Sequence, residues 1–169
     1  MQWVGLGILG LATIIVQVRV GSLIEWRGMR PDWVLVLIAF YSLHTRGLGV
    51  AAAAWVLGLV VDLHSLERQG LMALSYLLAA LLVAEARGFV VPRRPSSQVI
   101  VTLFPALWVQ AIGLLYRGVV YGASSVGWPA MILSAVGSAV YTALMAPPIH
   151  LVLLRFSGWL GLSRRRSRY

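Results

Sequence analysis

The sequence predicts an all-α integral membrane protein, folded as a compact bundle of about six transmembrane helices. Of its 169 residues, 60% are hydrophobic and only 11% are charged, whereas a water-facing surface needs about a quarter charged residues. Stretches of roughly the length that crosses a bilayer lie at 3–18, 71–84, 98–116 and 128–146. Two shorter apolar stretches lie at 33–43 and 48–61. We expect residues 1–169 to form a single polytopic domain.

The first connection, residues 19–32, alternates charged and apolar side chains, which is typical of a loop lying on the bilayer surface. It ends in Arg30-Pro31-Asp32. Proline needs no hydrogen-bond acceptor at the start of a helix, and a carboxylate is favourable beside the positive helix end. This motif therefore predicts that the second helix begins at Trp33, with Asp32 as its cap.

The second and third helices are predicted to form a short hairpin around the turn at 45–49. Each has thirteen to fifteen residues, or about 20–22 Å at 1.5 Å per residue, which is less than a full bilayer core. If the turn is centred on Gly47, Asp32 falls opposite Asp62. The hairpin therefore predicts two acidic residues at one membrane level.

Asp62 follows fifteen almost wholly apolar residues, where an ionised carboxylate costs about 2.5–3.5 kcal/mol to insert. It lies at a helix C-terminus, the unfavourable end for a negative charge, so we do not expect it to be a cap. Two interpretations stay open. The acids form a salt-bridged latch between helices two and three, with Arg30 or Arg27 as the cation, or they form a partner-docking or proton-linked site.

The remaining helices carry clear start and packing signals. Gly70 opens helix four, and the prolines at 105 and 147–148 are expected to kink or end helices five and six. Small residues recur four positions apart at Ala135, Ala139 and Ala143, and again at Ala54 and Gly58. This spacing permits close helix approach and favours packing within the chain over a dimer seam.

The net charge is +9, and all fourteen basic residues are arginine. Most of them lie in short connections or in the tail, which favours a membrane surface over nucleic acid as the partner. Nine arginines against five place both termini in the cytoplasm by the positive-inside rule. Residues 155–169 then form a basic cytoplasmic tail. Contacts with anionic lipids or a cytoplasmic partner are expected at Arg93, Arg94, Arg164, Arg165 and Arg166.

No catalytic, cofactor or metal motif accompanies these features. The chain has no cysteine and no lysine, which excludes thiolate metal sites and lysine-based covalent chemistry. There is no phosphate-binding G-x-x-x-x-G-K-[ST] motif and no G-x-S-x-G, and the histidines at 44, 64 and 150 lack clustered partners. We therefore expect a protein that is not an enzyme and binds no cofactor or metal.

In the order and spacing of its motifs the chain resembles the MreD family of the bacterial rod-shape system. The resemblance rests on Arg30-Pro31-Asp32, the turn at Arg46-Gly47, G-L-V-V-D at 58–62, and L-M-A-L-S-Y at 71–76 after a glycine. These motifs cover about residues 30–90. A looser likeness in length, topology and the arginine-rich end extends over the whole chain.

The resemblance implies a non-enzymatic scaffold of the cell-elongation complex in the bacterial inner membrane. Such a scaffold would bind the bitopic protein MreC and so link cytoskeletal MreB to a glycosyltransferase and a penicillin-binding transpeptidase that make peptidoglycan. The expected partner-binding residues are Arg30, Pro31, Asp32, Asp62 and Gly70. The family is also similar in fold to the S components of vitamin transporters. That similarity supplies a rival function, small-molecule binding, with scattered candidate residues Ser42, Ser75, Tyr76 and Gln110.

Overall fold

The computed structural model describes residues 2–20, 24–26, 28–45, 49–64, 70–89, 95–121 and 127–155. Within these ranges the chain forms six α-helices: α1 (Gln2–Val20), α2 (Trp33–His44), α3 (Gly49–His64), α4 (Leu71–Ala86), α5 (Pro95–Tyr121) and α6 (Trp128–Arg155). A short 3-10 turn, Arg87–Phe89, continues α4. Extended pairing in this part of the chain is limited to one bridge between Trp26 and Met29. The predicted all-helical fold is confirmed.

Two helices are long and apolar enough to cross a membrane, over Pro95–Val120 and Trp128–Arg155. The other four apolar helices are shorter, as the sequence indicated for helices two and three. With 12 residues, α2 is only about 18 Å long at 1.5 Å per residue. Helices α3 and α4, with 16 residues each, are also shorter than α5 and α6.

Helix α2 is the centre of the bundle. It packs against each of the other five helices, and every residue from Val34 to Leu43 is buried. A helix surrounded on all sides has no polar face, which explains why its sequence shows no helical alternation. The side chains of Leu35, Leu37 and Phe40 form the middle of the main core cluster.

Helices α2 and α3 are in contact, as expected for the predicted hairpin, but α3 has a second and larger contact. Helix α3 packs far more extensively on α4 than on α2, and α5 pairs in the same way with α6. The reason is a close backbone approach: a Cβ added at Gly58 would lie 2.7 Å from the Ala73 nitrogen and 2.8 Å from the Met72 oxygen. Glycine on α3 thus lets α4 come nearer than any other residue would allow.

Helices α5 and α6 contain the prolines and the small-residue row noted in the sequence. Both helices run through their prolines, because α5 continues past Pro105 to Tyr121 and α6 continues past Pro147 and Pro148 to Arg155. None of the three ends its helix. Ala139 and Ala143 are fully buried within the chain, which confirms internal packing of that small-residue row.

Hydrogen bonds between helix termini define two ends of the bundle. We call the end where α2 and α4 begin the Asp32 end, and the opposite one, where α2 stops, the Arg87 end.

Candidate functional site: a polar cluster at the Asp32 end

Asp32 is the N-cap of α2, as the sequence predicted. Its Oδ1 accepts a hydrogen bond of 3.0 Å from the backbone N–H of Leu35, the third helical residue, which otherwise has no acceptor in the first turn. Pro31, just before it, is buried. Removal from water raises the pKa of the Asp32 carboxyl, and hydrogen bonds from Tyr76 and Leu35 oppose that rise.

Gln17 of α1 completes the cap of α2. Its Oε1 accepts hydrogen bonds from the backbone N–H groups of Trp33 at 3.0 Å and Val34 at 3.1 Å. Together with Asp32, this amide supplies acceptors to all three N–H groups of the first helical turn. The start of α2 is therefore fixed to α1 by hydrogen bonds that carry no net charge.

Two hydroxyl groups on α6 hold the backbone that leads into α2. Ser138 Oγ accepts from the N–H of Arg30 at 3.1 Å, and Thr142 Oγ1 accepts from the N–H of Asp32 at 2.9 Å. Residues four apart lie on one face of a helix. Ser138 and Thr142 therefore accept hydrogen bonds from two N–H groups, two residues apart, in the segment that leads into α2.

Tyr76 of α4 joins the same cluster. Its hydroxyl donates a hydrogen bond of 2.6 Å to Asp32 Oδ2, within the short range typical of a charge-assisted bond. The hydroxyl also lies within electrostatic range of Asp62. Both acids therefore lie close to the first turns of α4.

Asp62 caps the next helix in the chain, so the expectation that it could not be a cap is wrong. The N-cap position of α4 is Gly70, which has a left-handed φ of 99° and no side chain to accept hydrogen bonds. Asp62 supplies the missing oxygens: Oδ2 accepts from Gly70 N at 2.9 Å and Ala73 N at 3.1 Å, and Oδ1 accepts from Met72 N at 3.0 Å.

This arrangement explains how a carboxylate is tolerated at a buried position. Asp62 is only 2% exposed, but it faces the positive end of α4, where N–H groups and the helix dipole both favour negative charge. The bonds join α3 to α4, whereas the predicted latch would have joined α2 to α3. In sequence Asp62 lies near the C-terminus of α3, where a negative charge is unfavourable. In the structure it interacts with the N-terminus of α4, where a negative charge is favourable.

Arg30 does not serve as the cation between the two acids. Its guanidinium pairs with Glu25, with an Nε–Oε2 distance of 2.6 Å, and its side chain is 64% exposed. Arg27, the other expected cation, lies outside the described residues. Exposed pairs of this kind contribute about 0–1 kcal/mol, so Arg30 is a surface feature of the cluster.

A cationic counterpart lies at the Arg87 end. The Arg87 guanidinium, just after α4, donates hydrogen bonds to the carbonyl oxygens of Ser42 and Thr45, the latter at 2.7 Å. Carbonyl groups in the last turn of a helix lack intrahelical donors and carry partial negative charge. The guanidinium therefore caps the C-terminus of α2.

The structure separates the rival small-molecule candidates. Ser75 Oγ donates to Leu71 O within α4, and Tyr76 belongs to the cluster at the Asp32 end. Ser42 lies at the Arg87 end beside the guanidinium of Arg87. Gln110 lines a cavity between α5 and α6. These four polar groups do not converge on one pocket.

The expected basic contact residues Arg93, Arg94, Arg164, Arg165 and Arg166 lie outside the described residues, as does the tail beyond Arg155. Among described residues no group of three or more potential metal ligands occurs. Asp32 and Asp62 accept hydrogen bonds from backbone N–H groups at the starts of α2 and α4, and Asp32 also accepts from the Tyr76 hydroxyl. The chemistry of the cluster is therefore that of a structural joint between helices.

Sequence reasoning missed several members of this joint. Gln17 reads as one polar residue near the end of an apolar helix, and Tyr76 was noted only as a possible ligand contact. The one available signal was the hydroxyl pair at Ser138 and Thr142, whose spacing places both on one face of α6. The contact between Arg87 and Ser42 gave no signal in the sequence, because more than forty residues separate the two.

Comparison with known proteins gives one match. No curated protein and no solved structure matches the chain. The sequence profile of one family, described as rod shape-determining protein MreD, matches residues 1–156 of the 169. That match spans all six helices and every residue of the polar cluster. The chain therefore belongs to the MreD family of rod shape-determining proteins.

Proposed function

We propose that this protein is a non-enzymatic scaffold of the cell-elongation complex that binds an MreC-like bitopic membrane protein. Family membership already assigns it a role in rod-shape determination. The proposal adds the partner, the docking surface and the orientation. Through the partner, MreB on the inside would be linked to the glycosyltransferase and the penicillin-binding transpeptidase outside.

The observation that supports this proposal is the polar joint at the Asp32 end. Its acids hold helix starts in place, and exposed side chains surround it: Trp26 and Leu63 are both 69% exposed and Arg30 is 64% exposed. A rigid base that presents aromatic, aliphatic and guanidinium groups is typical of an interaction surface. Pro31, Asp32, Asp62 and Gly70 would shape this surface, and Arg30 would contact the partner directly.

The docking test uses Arg30→Ala, because this change removes an exposed side chain and leaves the caps of α2 and α4 intact. We expect co-purification of an MreC-like partner to fall at least about tenfold, since truncating a central arginine at an interface commonly costs 2 kcal/mol or more. Arg19→Ala, which removes another exposed arginine at the same end, is the matched control. Equal recovery with both variants would contradict the proposed docking surface.

A second test concerns orientation, because docking requires the Asp32 end to face out of the cytoplasm. In that orientation the tail residues Arg164, Arg165 and Arg166, together with Arg93 and Arg94, lie inside, near MreB and anionic lipids. Each such arginine contributes about 1 kcal/mol of attraction to the lipid surface. A cysteine at Ser65 should react with an impermeant thiol reagent in intact spheroplasts, and one at Ser167 should not. The reverse pattern would place the docking surface in the wrong compartment.

A further inference from the structure

A cavity of about 330 Å³ lies at the Asp32 end, where Glu25, Gly28 and Arg30 face α5 and α6. This volume is at the lower end of the range for small-ligand sites. Its polar lining includes Glu25, Arg30, Gln110, Arg117, Ser134 and Ser138. Neither the family assignment nor the docking surface gives this cavity a purpose.

The cavity extends deep along the two longest helices. Its lining on α5 runs from Arg117 to Gln110, and on α6 from Met131 to Ser138. Seven residues of helix correspond to about 10 Å. Because α5 and α6 are the helices that meet the criteria for membrane spans, this polar slot reaches well below their ends. Within this slot Ser134 Oγ donates to Met131 O and Ser138 Oγ accepts from the N–H of Arg30, and each hydroxyl keeps further hydrogen-bonding capacity.

The wall that contains Met29 and Arg30 is attached to α6. Met29 packs so closely on Gly137 of α6 that an added Cβ there would meet the methionine side chain. Next to it, the N–H of Arg30 donates to Ser138 Oγ. The bridge between Trp26 and Met29 closes the turn above, with Gly28 at a φ of 81°. Met29 and Arg30 therefore hold this wall of the cavity against α6.

We propose that this cavity binds the phosphodiester headgroup of a phospholipid from the leaflet at the Asp32 end. Its described lining contains the guanidinium groups of Arg30 and Arg117 against one carboxylate, Glu25, which is paired with Arg30. Guanidinium is the side chain best shaped to bind phosphate oxygens in pairs. The hydroxyl groups of Ser134 and Ser138 and the amide of Gln110 add hydrogen-bonding capacity for the glycerol and headgroup oxygens.

A lipid, and not a soluble anion, is favoured by the helix surface beside the cavity. Leu115 follows the lining residue Leu114 on α5 and is 66% exposed, and Leu133 precedes Ser134 on α6 and is 64% exposed. Such residues provide an apolar surface for acyl chains next to the polar slot. A free phosphate ion would gain nothing from them.

The experiment uses the purified full-length chain in detergent, without any partner protein, so that failure of the docking proposal does not affect it. Three probes are compared: dihexanoyl phosphatidylglycerol, dihexanoylglycerol, which lacks the phosphate, and inorganic phosphate. We expect only the phospholipid to raise the thermal midpoint in a concentration-dependent way. Native mass spectrometry should show it bound with a stoichiometry of about one, as expected for a single cavity.

The variant Arg117→Gln should weaken phospholipid binding at least about tenfold, because it removes a charge-assisted contact, and partner recovery should not change. Arg19→Gln, an exposed arginine outside the lining, is the matched control. Arg30→Gln provides a second test if Arg117→Gln does not fold, and it is scored by phospholipid affinity alone because Arg30 also belongs to the docking surface. Equal stabilisation by dihexanoylglycerol or by inorganic phosphate would overturn the lipid assignment. Unchanged affinity in both lining variants would overturn the site.

Discussion

Replacing Asp62 with alanine removes the oxygen atoms that cap α4 and leaves three backbone N–H groups without these acceptors. The bond from Ala73 is buried, whereas those from Gly70 and Met72 are only partly buried, so water can replace the latter in part. A buried N–H left without an acceptor costs about 1–3 kcal/mol, and loss of an N-cap side chain typically costs about 1 kcal/mol. We expect a loss of about 3 kcal/mol in the free energy of unfolding.

The chemistry of the cap predicts a graded series. Asp62→Asn keeps one oxygen, which can still accept from Gly70 and Ala73 in the position of Oδ2, and loses the bond to Met72. Its cost should be about 1 kcal/mol. Since 1 kcal/mol shifts the thermal midpoint by about 2–4 °C in a chain of this size, alanine should lower it by about 6–12 °C and asparagine by about a third as much.

The assay heats the purified protein in detergent and measures the fraction that stays monodisperse. Glu85→Ala is the matched control, because it removes an exposed carboxylate from α4 itself and should change the midpoint by less than about 2 °C. The reasoning would be refuted if the alanine variant at 62 behaved like this control, or if asparagine were as damaging as alanine.

Two further predictions concern the other contacts that place α4. Gly58→Ala should destabilise the fold by about 1–3 kcal/mol through overpacking, because its Cβ would meet the backbone of Ala73. Gly113→Ala, where an added Cβ meets nothing within 4 Å, is the control, and equal midpoints would contradict the close approach. Arg87→Met should lower stability by about 1–3 kcal/mol, since the last carbonyls of α2 lose their donor, and Arg87→Lys should recover part of it. Denaturant titration measures both, and a methionine variant as stable as wild type would exclude the cap.

The extent to which the sequence predicted this structure follows from how far each interaction reaches along the chain. The apolar runs predicted all six helices, because burial in a bilayer depends on local composition. The Asp32 cap was also predictable, since donor and acceptor lie three residues apart in Arg30-Pro31-Asp32 and the helix that follows. These features require no knowledge of tertiary contacts.

The Asp62 cap was not predictable by the same reasoning. Its donors lie eight to eleven residues away, on another helix, and only the folded path of the chain brings that terminus to the carboxylate. The larger packing partner of α3 was not predictable either. Short connections precede and follow α3, and only the close approach at Gly58 makes α4 the nearer helix.

The capping of α4 by a residue of α3 has a consequence for membrane insertion. Alone in hydrocarbon, α3 would carry an uncompensated carboxylate, at a cost of about 2.5–3.5 kcal/mol, and α4 alone would present unpaired N–H groups at its start. When the two helices pack together, the carboxylate of α3 accepts hydrogen bonds from the N–H groups of α4, and both costs are removed. Insertion of α3 and α4 as a pair would avoid both penalties. A point substitution at Asp62 would then reduce the yield of correctly inserted protein as well as the stability of the finished fold.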